Sequence, residues 1–180
     1  MKRSINFWQF IGFIIVSILG TISHYLYDWT RNDVIAAISG VNESTWEHMK
    51  LLFFPLLIFA LIENKILNKR DDFWCIKLRG TVVGLVLIPM IFYLYNGIIG
   101  KSPDWFNISI FFISAAIVFV YEAKMFESGK IKCSFPKRAI FIFVMIALLF
   151  IVFTYFTPKF NIFRDPIDGT YGLYKLNRIF

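Results

Sequence analysis

A chain of 180 residues that is 58% hydrophobic and 19% aromatic, with 22 Phe, carries more apolar surface than a soluble domain of this size can bury. Its net charge of +7 would suit a nucleic acid, but the basic residues cluster in alternate segments between apolar runs. That pattern excludes a nucleic-acid partner and makes the lipid bilayer the partner instead.

In chain order, the apolar runs predict an all-α polytopic membrane bundle with one domain and five transmembrane helices. They cover about residues 7–27, 44–63, 80–99, 105–123 and 139–157, with an outer tail at 158–180. Lys2 and Arg3 precede the first run. Its apolar part, about 20 residues, exceeds the core of a signal peptide, and no small-x-small cleavage site follows, so it reads as a retained spanning helix. In the next loop Asn32 or Asp33 is set to cap a short helix over residues 34–39, which Gly40 ends. Its apolar side chains suit an interfacial position.

The apolar run at 51–62 is too short to span alone, because a spanning helix needs about 20 residues. Ser44-Thr-Trp-Glu47 matches a capping box, in which the Ser44 hydroxyl accepts from the Glu47 N–H and the Glu47 carboxylate accepts from the Ser44 N–H. A helix starting there reaches Glu63 after roughly 30 Å and sinks His48 and Lys50 into the outer leaflet. Pro55 and Pro89 are expected to kink the second and third spans. Gly80 and Gly84 form a Gly-x-x-x-Gly face suited to close packing, including a homodimer. Glu122 reads as an interfacial residue at the inner end of the fourth span, with Lys77 and Lys124 as partners. Arg164 to Gly169 reads as a turn. Trp29, Tyr171 and Tyr174 suit the headgroup level.

Lys2 and Arg3, then Lys65, Lys69, Arg70, Lys77 and Arg79, then Lys124, Lys130, Lys132, Lys137 and Arg138 hold most of the 19 basic residues. They lie on loops that share one side, whereas the opposite loops carry only Arg31 and Lys101. The positive-inside rule therefore predicts a cytoplasmic N-terminus and an outer C-terminus. Cys75 and Cys133 fall on the cytoplasmic side and are expected to be reduced thiols; no Cys-x-x-Cys motif is present.

Several polar groups gather at the outer level in this topology. His24 and Asp28 share a face at the end of the first span. Glu43, Glu47, His48 and Lys50 open the second, Tyr93 and Asn96 close the third, and Asp165 lies on the tail. Together they make a site for a small molecule or lipid head group, with Lys50 and the histidines holding an anion. A sharper reading is a metal-dependent membrane hydrolase. Two imidazoles and a carboxylate (His24, His48 and Asp28) suit zinc with a position left for water, with Glu47 as general base or Glu43 as a further ligand. His48, Glu47 and Glu43 are then the catalytic candidates. Glu47 and His48 are adjacent on a helix, about 100° apart, and do not bind one ion together. The ordinary reading of the same residues is structural, as in a non-catalytic accessory subunit: Glu47 caps its helix and pairs with Lys50, and Lys50 snorkels. A Ser/His/Asp triad can be assembled from Ser23 or Ser44 with either histidine and Asp28, but no nucleophile elbow is present.

Three strings carry a resemblance: His24-Tyr-x-Tyr-Asp-Trp29, Val41-Asn-Glu-Ser-Thr-Trp-Glu-His-Met-Lys50 and Asp165-Pro-x-x-Gly-x-Tyr-Gly172. The chain resembles a family of small, uncharacterised bacterial multi-pass membrane proteins, most specifically through Asn-Glu-Ser-x-Trp-Glu-His-x-Lys. The resemblance implies a bacterial cell membrane and no particular activity. Two histidines and five spans fall short of the alkaline-ceramidase-like hydrolases, which use seven spans and three zinc histidines.

Overall fold

The computed structural model describes residues 2–67 and 70–173. The described residues form six α-helices: α1 (Lys2–Thr30), α2 (Asp33–Ala36), α3 (Thr45–Ile66), α4 (Phe73–Ile98), α5 (Asp104–Ser128) and α6 (Pro136–Tyr155). A single 3₁₀ turn, Asn161–Phe163, follows in the tail. No strand forms among them, apart from one isolated bridge between Arg164 and Tyr171.

Four of the helices, α1, α4, α5 and α6, are long and apolar enough to cross a membrane. Each leaves a stripe of large apolar side chains exposed: Ile14 and Ile18 on α1, Val82 and Val86 on α4, Ile113 and Ile117 on α5, Phe141 and Leu148 on α6. The helical spacing puts each stripe on one helix face, as a lipid-facing surface requires. α3 differs in kind. Its 22 residues, about 33 Å of helix, include Glu47, Lys50 and Glu63, and all three are buried. It packs against α1, α4, α5 and α6, so the other helices screen its charges.

The aromatic content does much of this packing. Phe59 on α3 meets Phe119 on α5 edge-on at 5.9 Å, in a cluster with Val16, Leu52, Ala115 and Val118. Phe53 and Phe54 meet Phe150 on α6 at 5.2 Å and 6.2 Å. Trp46 contacts both Phe150 and Phe163, which pins the tail turn against α3 and α6. Such pairs contribute about 0.5–1.5 kcal/mol each beyond their buried area.

α4 outruns the apolar run that marked it in the sequence. α4 begins at Phe73 rather than near residue 80, so Lys77 is not a loop residue; it is 1% exposed inside the bundle. A cation there is tolerable only because carboxylates surround it, which a hydropathy count does not register. Pro55 and Pro89 both lie within unbroken helices. The Gly80/Gly84 face packs closely, as expected, and does so within the chain. A Cβ on Gly84 would lie 2.7 Å from Val118 and 2.8 Å from Leu52, and one on Gly80 would strike the Glu122 carboxylate. The short-helix reading is closer: Asn32 caps α2 by accepting from the Val34 N–H at 2.8 Å, and the helix ends at Ala36.

The cysteines also depart from expectation. Cys75, in the first turn of α4, is disulfide-bonded to Cys133, in the α5–α6 connection, with Cα atoms 5.8 Å apart. That separation is the usual one for a bridge. The residues are 58 apart in the chain, and only the helix packing brings them together.

Because Gly84 sits at a close helix crossing, Gly84→Leu should destabilise the protein by about 1–3 kcal/mol through overpacking. Gly97 has open space around its Cα. Gly97→Ala should therefore be neutral or stabilise by up to about 1 kcal/mol. Thermal unfolding in detergent micelles checks both; equal losses would show that the α4–α5 crossing is not the constraint.

Candidate functional site

The site is built where α1 ends and α3 begins. Arg31 adopts a left-handed conformation (φ 49°), and the chain turns back through α2. The Gly40 N–H donates to the Ser23 carbonyl at 3.2 Å, which returns the loop to α1 beside His24. A side chain at residue 40 would have room, its Cβ 3.7 Å from the His24 carbonyl oxygen. Local hydrogen bonds fix the start of α3. Asn42 Oδ1 accepts from the Ser44 N–H at 2.9 Å, and Ser44 Oγ accepts from the Glu47 N–H at 3.4 Å. Only half of the expected capping box forms. Asn42 takes the Ser44 N–H that Glu47 was expected to hold, and Glu47 Oε2 accepts from the Val41 N–H at 3.2 Å.

Glu47 is drawn away by Lys50. The Lys50 ammonium is fully buried, 2.6 Å from Glu47 Oε2. It also donates to the Ala36 carbonyl at 2.8 Å and to Thr154 Oγ1 at 2.9 Å. All three of its N–H bonds are thereby used. One cation thus ties together α2, α3 and α6. The Tyr155 hydroxyl donates to the Asp33 carbonyl and adds a second tie between α6 and α2.

Above this anchor, His24, Glu43 and His48 converge. Each offers one ligand atom, and the three lie within 4.8 Å of one another. Glu43 Oε2 is 3.5 Å from His24 Nε2 and 3.6 Å from His48 Nε2. Charge-assisted hydrogen bonds are shorter, about 2.7–2.9 Å. Ligands around tetrahedral zinc, at bonds of about 2.0–2.1 Å, are separated by about 3.4 Å. The observed spacings match the second figure. The tautomer of His48 points the same way. Its Nδ1 lies 3.0 Å from the Ser44 carbonyl, an acceptor, so Nδ1 carries the hydrogen. In the neutral ring Nε2 is then the nitrogen left to accept a hydrogen bond or ligate a metal, and it lies on the Glu43 side of the ring, 3.6 Å from Oε2. The side chains of His24, Glu43 and His48 are 29%, 36% and 15% exposed, so solvent and solutes reach the cluster.

The remaining candidate residues sort themselves by geometry. Asp28 pairs with Arg31 at 3.2 Å in an exposed position, so Glu43 takes the place beside the histidines expected for Asp28. Asp165 is buried; its Oδ2 accepts from the Glu43 backbone N–H at 3.1 Å and its Oδ1 from the Ile167 N–H at 2.8 Å. It therefore positions Glu43 rather than facing the histidines. The expected tail turn forms around it, with Gly169 at φ 74° and its N–H donating to the Asp165 carbonyl at 2.9 Å. Asn96 closes the α4–α5 turn: its Nδ2 donates to the Phe92 carbonyl and its Oδ1 accepts from the Ser102 N–H. Tyr93 lines an open groove of about 470 Å³ with Arg164 and Asp168. Tyr174 lies outside the described residues.

A second polar centre is only partly foreseen in the sequence: Lys77 does pair with Glu122, as expected, but both are buried and Glu63 joins them. Glu63, Lys77 and Glu122 meet at the other end of α3, each at most 1% exposed, with Gln9 of α1 beside them. A signal for it exists: each is a lone polar residue within or at the rim of an apolar run, where polar groups face the bundle interior.

Lys50→Met leaves the Glu47 carboxylate buried and unpaired and should cost about 3–5 kcal/mol. The double variant E47M/K50M should recover most of that loss. His48→Ala, which removes one partly exposed ring, should cost well under half as much. Thermal unfolding of the three variants checks the order; a K50M protein as stable as H48A would remove Lys50 from its anchoring role.

No curated protein and no solved structure matches the chain. A family does match, over residues 1–173 and so across both polar centres. The chain belongs to the family of unknown function DUF6512.

Proposed function

We propose that the chain is a multi-pass protein of a bacterial cytoplasmic membrane whose His24–Glu43–His48 cluster, at the outer face, holds a divalent cation. Zinc suits two imidazoles and a carboxylate best, and three protein ligands leave a position open. Through that position the ion captures an anionic small molecule or a lipid head group. The observation carrying this reading is the convergence of His24, Glu43 and His48, with His48 Nδ1 held by the Ser44 carbonyl and its Nε2 3.6 Å from Glu43, near the spacing of two ligands on one metal. Asp165 and Ser44 supply the outer shell that such sites use to orient their ligands.

α3 is the fifth span in this reading. Its charges are excluded from lipid by the four apolar helices, and its length matches the bilayer core. Orientation rests on the basic loops, which put the N-terminus in the cytoplasm. The Cys75–Cys133 disulfide argues the other way, since such bonds persist mainly in oxidising compartments. The charge bias draws on many residues in several segments, whereas one adjacent thiol pair can be oxidised or reduced, so the charge bias decides. Thiol labelling tests the orientation: an introduced Lys101→Cys, at an exposed position of the α4–α5 loop, should react with a membrane-impermeant thiol reagent in intact cells, and protection until lysis would reverse the topology.

The metal reading is tested by elemental analysis of purified protein after exposure to zinc. About one zinc per chain should be retained, and His24→Ala or His48→Ala should abolish it. Asp165→Asn should weaken affinity by roughly 10–100-fold through the loosened Glu43. Binding should fall as pH drops below about 6, because imidazolium does not ligate metal. A folded sample that retains no zinc, manganese or other divalent ion overturns the proposal and leaves a structural role for the cluster. A second reading, metal-assisted hydrolysis, is favoured by the open position alone. It predicts zinc-dependent turnover of a phosphoester probe that His48→Ala removes, whereas pure binding predicts zinc-dependent retention of glycerol phosphate without turnover.

A further inference from the structure

We propose that Glu63 and Glu122 form a buried proton-binding site beside Lys77, in which one of the two carboxyls carries an exchangeable proton. The charge count is the starting point. Lys77 Nζ lies 3.0 Å from Glu63 Oε2 and 2.5 Å from Glu122 Oε2. Among the described residues the flanking groups that contact the centre are otherwise neutral. α1 contributes Gln9, whose Nε2 donates to Glu63 Oε1 at 2.5 Å. α3 and α5 contribute Phe59 and Phe119, whose ring centroids lie 5.6 Å and 5.3 Å from Nζ. Two ionised carboxylates and one ammonium would leave a net negative charge where all three groups are buried. A lone charge in such a place costs many kcal/mol, and a carboxyl protonates instead.

The hydrogen-bond count gives the same answer independently. Glu122 Oε1 and Gln9 Oε1 are buried and have no donor among the described residues, and Glu63 Oε2, although close to Lys77, forms no hydrogen bond. The centre is short of donors. One carboxyl O–H supplies both the missing positive charge and a missing donor. Available space selects a proton over a metal ion: the Glu122 carboxylate rests directly against the α4 backbone at Gly80, where even a Cβ would collide with it. A sodium ion with its ligand shell needs more room. The arrangement follows the rule that two carboxylates crowded at one buried site do not both ionise. Lys77 modifies the rule by holding one of them ionised. The site lies fifteen residues along α3 from His48, roughly 22 Å away, and stands whether or not the outer cluster binds metal.

Infrared difference spectroscopy of the full chain in lipid nanodiscs tests this directly, titrating between about pH 5 and about pH 9. The wild type should show a protonated-carboxyl band that disappears on the basic side. Either Glu63→Gln or Glu122→Gln should abolish that band completely, because the single remaining carboxylate pairs with Lys77 and stays ionised. Glutamine matches the shape of a protonated glutamate, so both variants should fold; Glu127→Gln is the control and should leave the band unchanged. A wild-type protein without the band, or a band indifferent to both single variants, overturns the proposal. A band that emerges only when sodium is withdrawn also overturns it and makes the centre a metal-cation site.

Discussion

A lysine ammonium at the start of α3 is buried out of reach of solvent, and this end of the bundle is arranged around supplying a substitute for water. Lys50 is given a carboxylate from its own helix, a carbonyl from α2 and a hydroxyl from α6. Removing any one of these leaves an N–H bond of a buried cation unsatisfied, and the penalty is larger than for a neutral group. The consequence is positional. α2 is only four residues long, too short to hold itself as a helix. Its carbonyl end is fixed because Lys50 needs it, and the loop from Ala36 to Glu43 is thereby held over the first turn of α3.

That loop is what places Glu43 between the two histidines. His24 comes from α1 and His48 from α3, and their rings stand 5.8 Å apart. A carboxylate delivered by an unsupported loop would not stay between them. Here the backbone of Glu43 is held by Asp165 from the tail, while Asn42 reaches to the Gly172 carbonyl at 3.2 Å. Two separate segments therefore converge on one short stretch. The side chains that hold it, Asn42 and Asp165, are buried, whereas His24 and Glu43 remain open to solvent. Buried supports beneath exposed ligands are the usual division of labour at a binding site.

Much of this could be read from the sequence and some could not, for definable reasons. Local signals were legible: the Asn32 cap, the Ser44 cap and the turn over residues 164–169 depend on neighbouring residues only. The membrane class followed from apolar runs, since hydropathy sums over many positions. Helix neighbours were harder: the meetings of His24 with His48 and of Lys77 with Glu122 were anticipated, and several others were not. Asp28 and Glu43 are equally plausible ligands in the sequence; the return of the loop to α1 through Gly40 selects Glu43. Glu47 satisfied the capping-box pattern, yet the buried ammonium of Lys50 attracts its carboxylate more strongly than a backbone N–H does. Lys77 counted as a loop cation because hydropathy treats each charge alone, whereas Glu63 and Glu122 make its burial tolerable. Cys75 and Cys133 meet only once α4 and α5 are packed.

α3 carries charged residues at both ends and nothing but apolar side chains between Leu51 and Ile62. This separation has a physical consequence. Among the described residues the histidine cluster and the Glu63–Glu122 pair share no hydrogen-bonded chain along the helix, so charge at one end is not relayed to the other through side chains. What they do share is rigid packing, with Leu52, Leu56 and Phe59 locked among Val16, Val118 and Phe119. A change at the inner centre that alters how Glu122 rests on Gly80 acts on the α4–α5 crossing, and α3 packs against both of those helices. Coupling between the two centres, where it exists, therefore travels as a shift of the whole α3 rod rather than as a proton passed along it. A close-packed interior permits this, because it moves in discrete steps rather than deforming gradually.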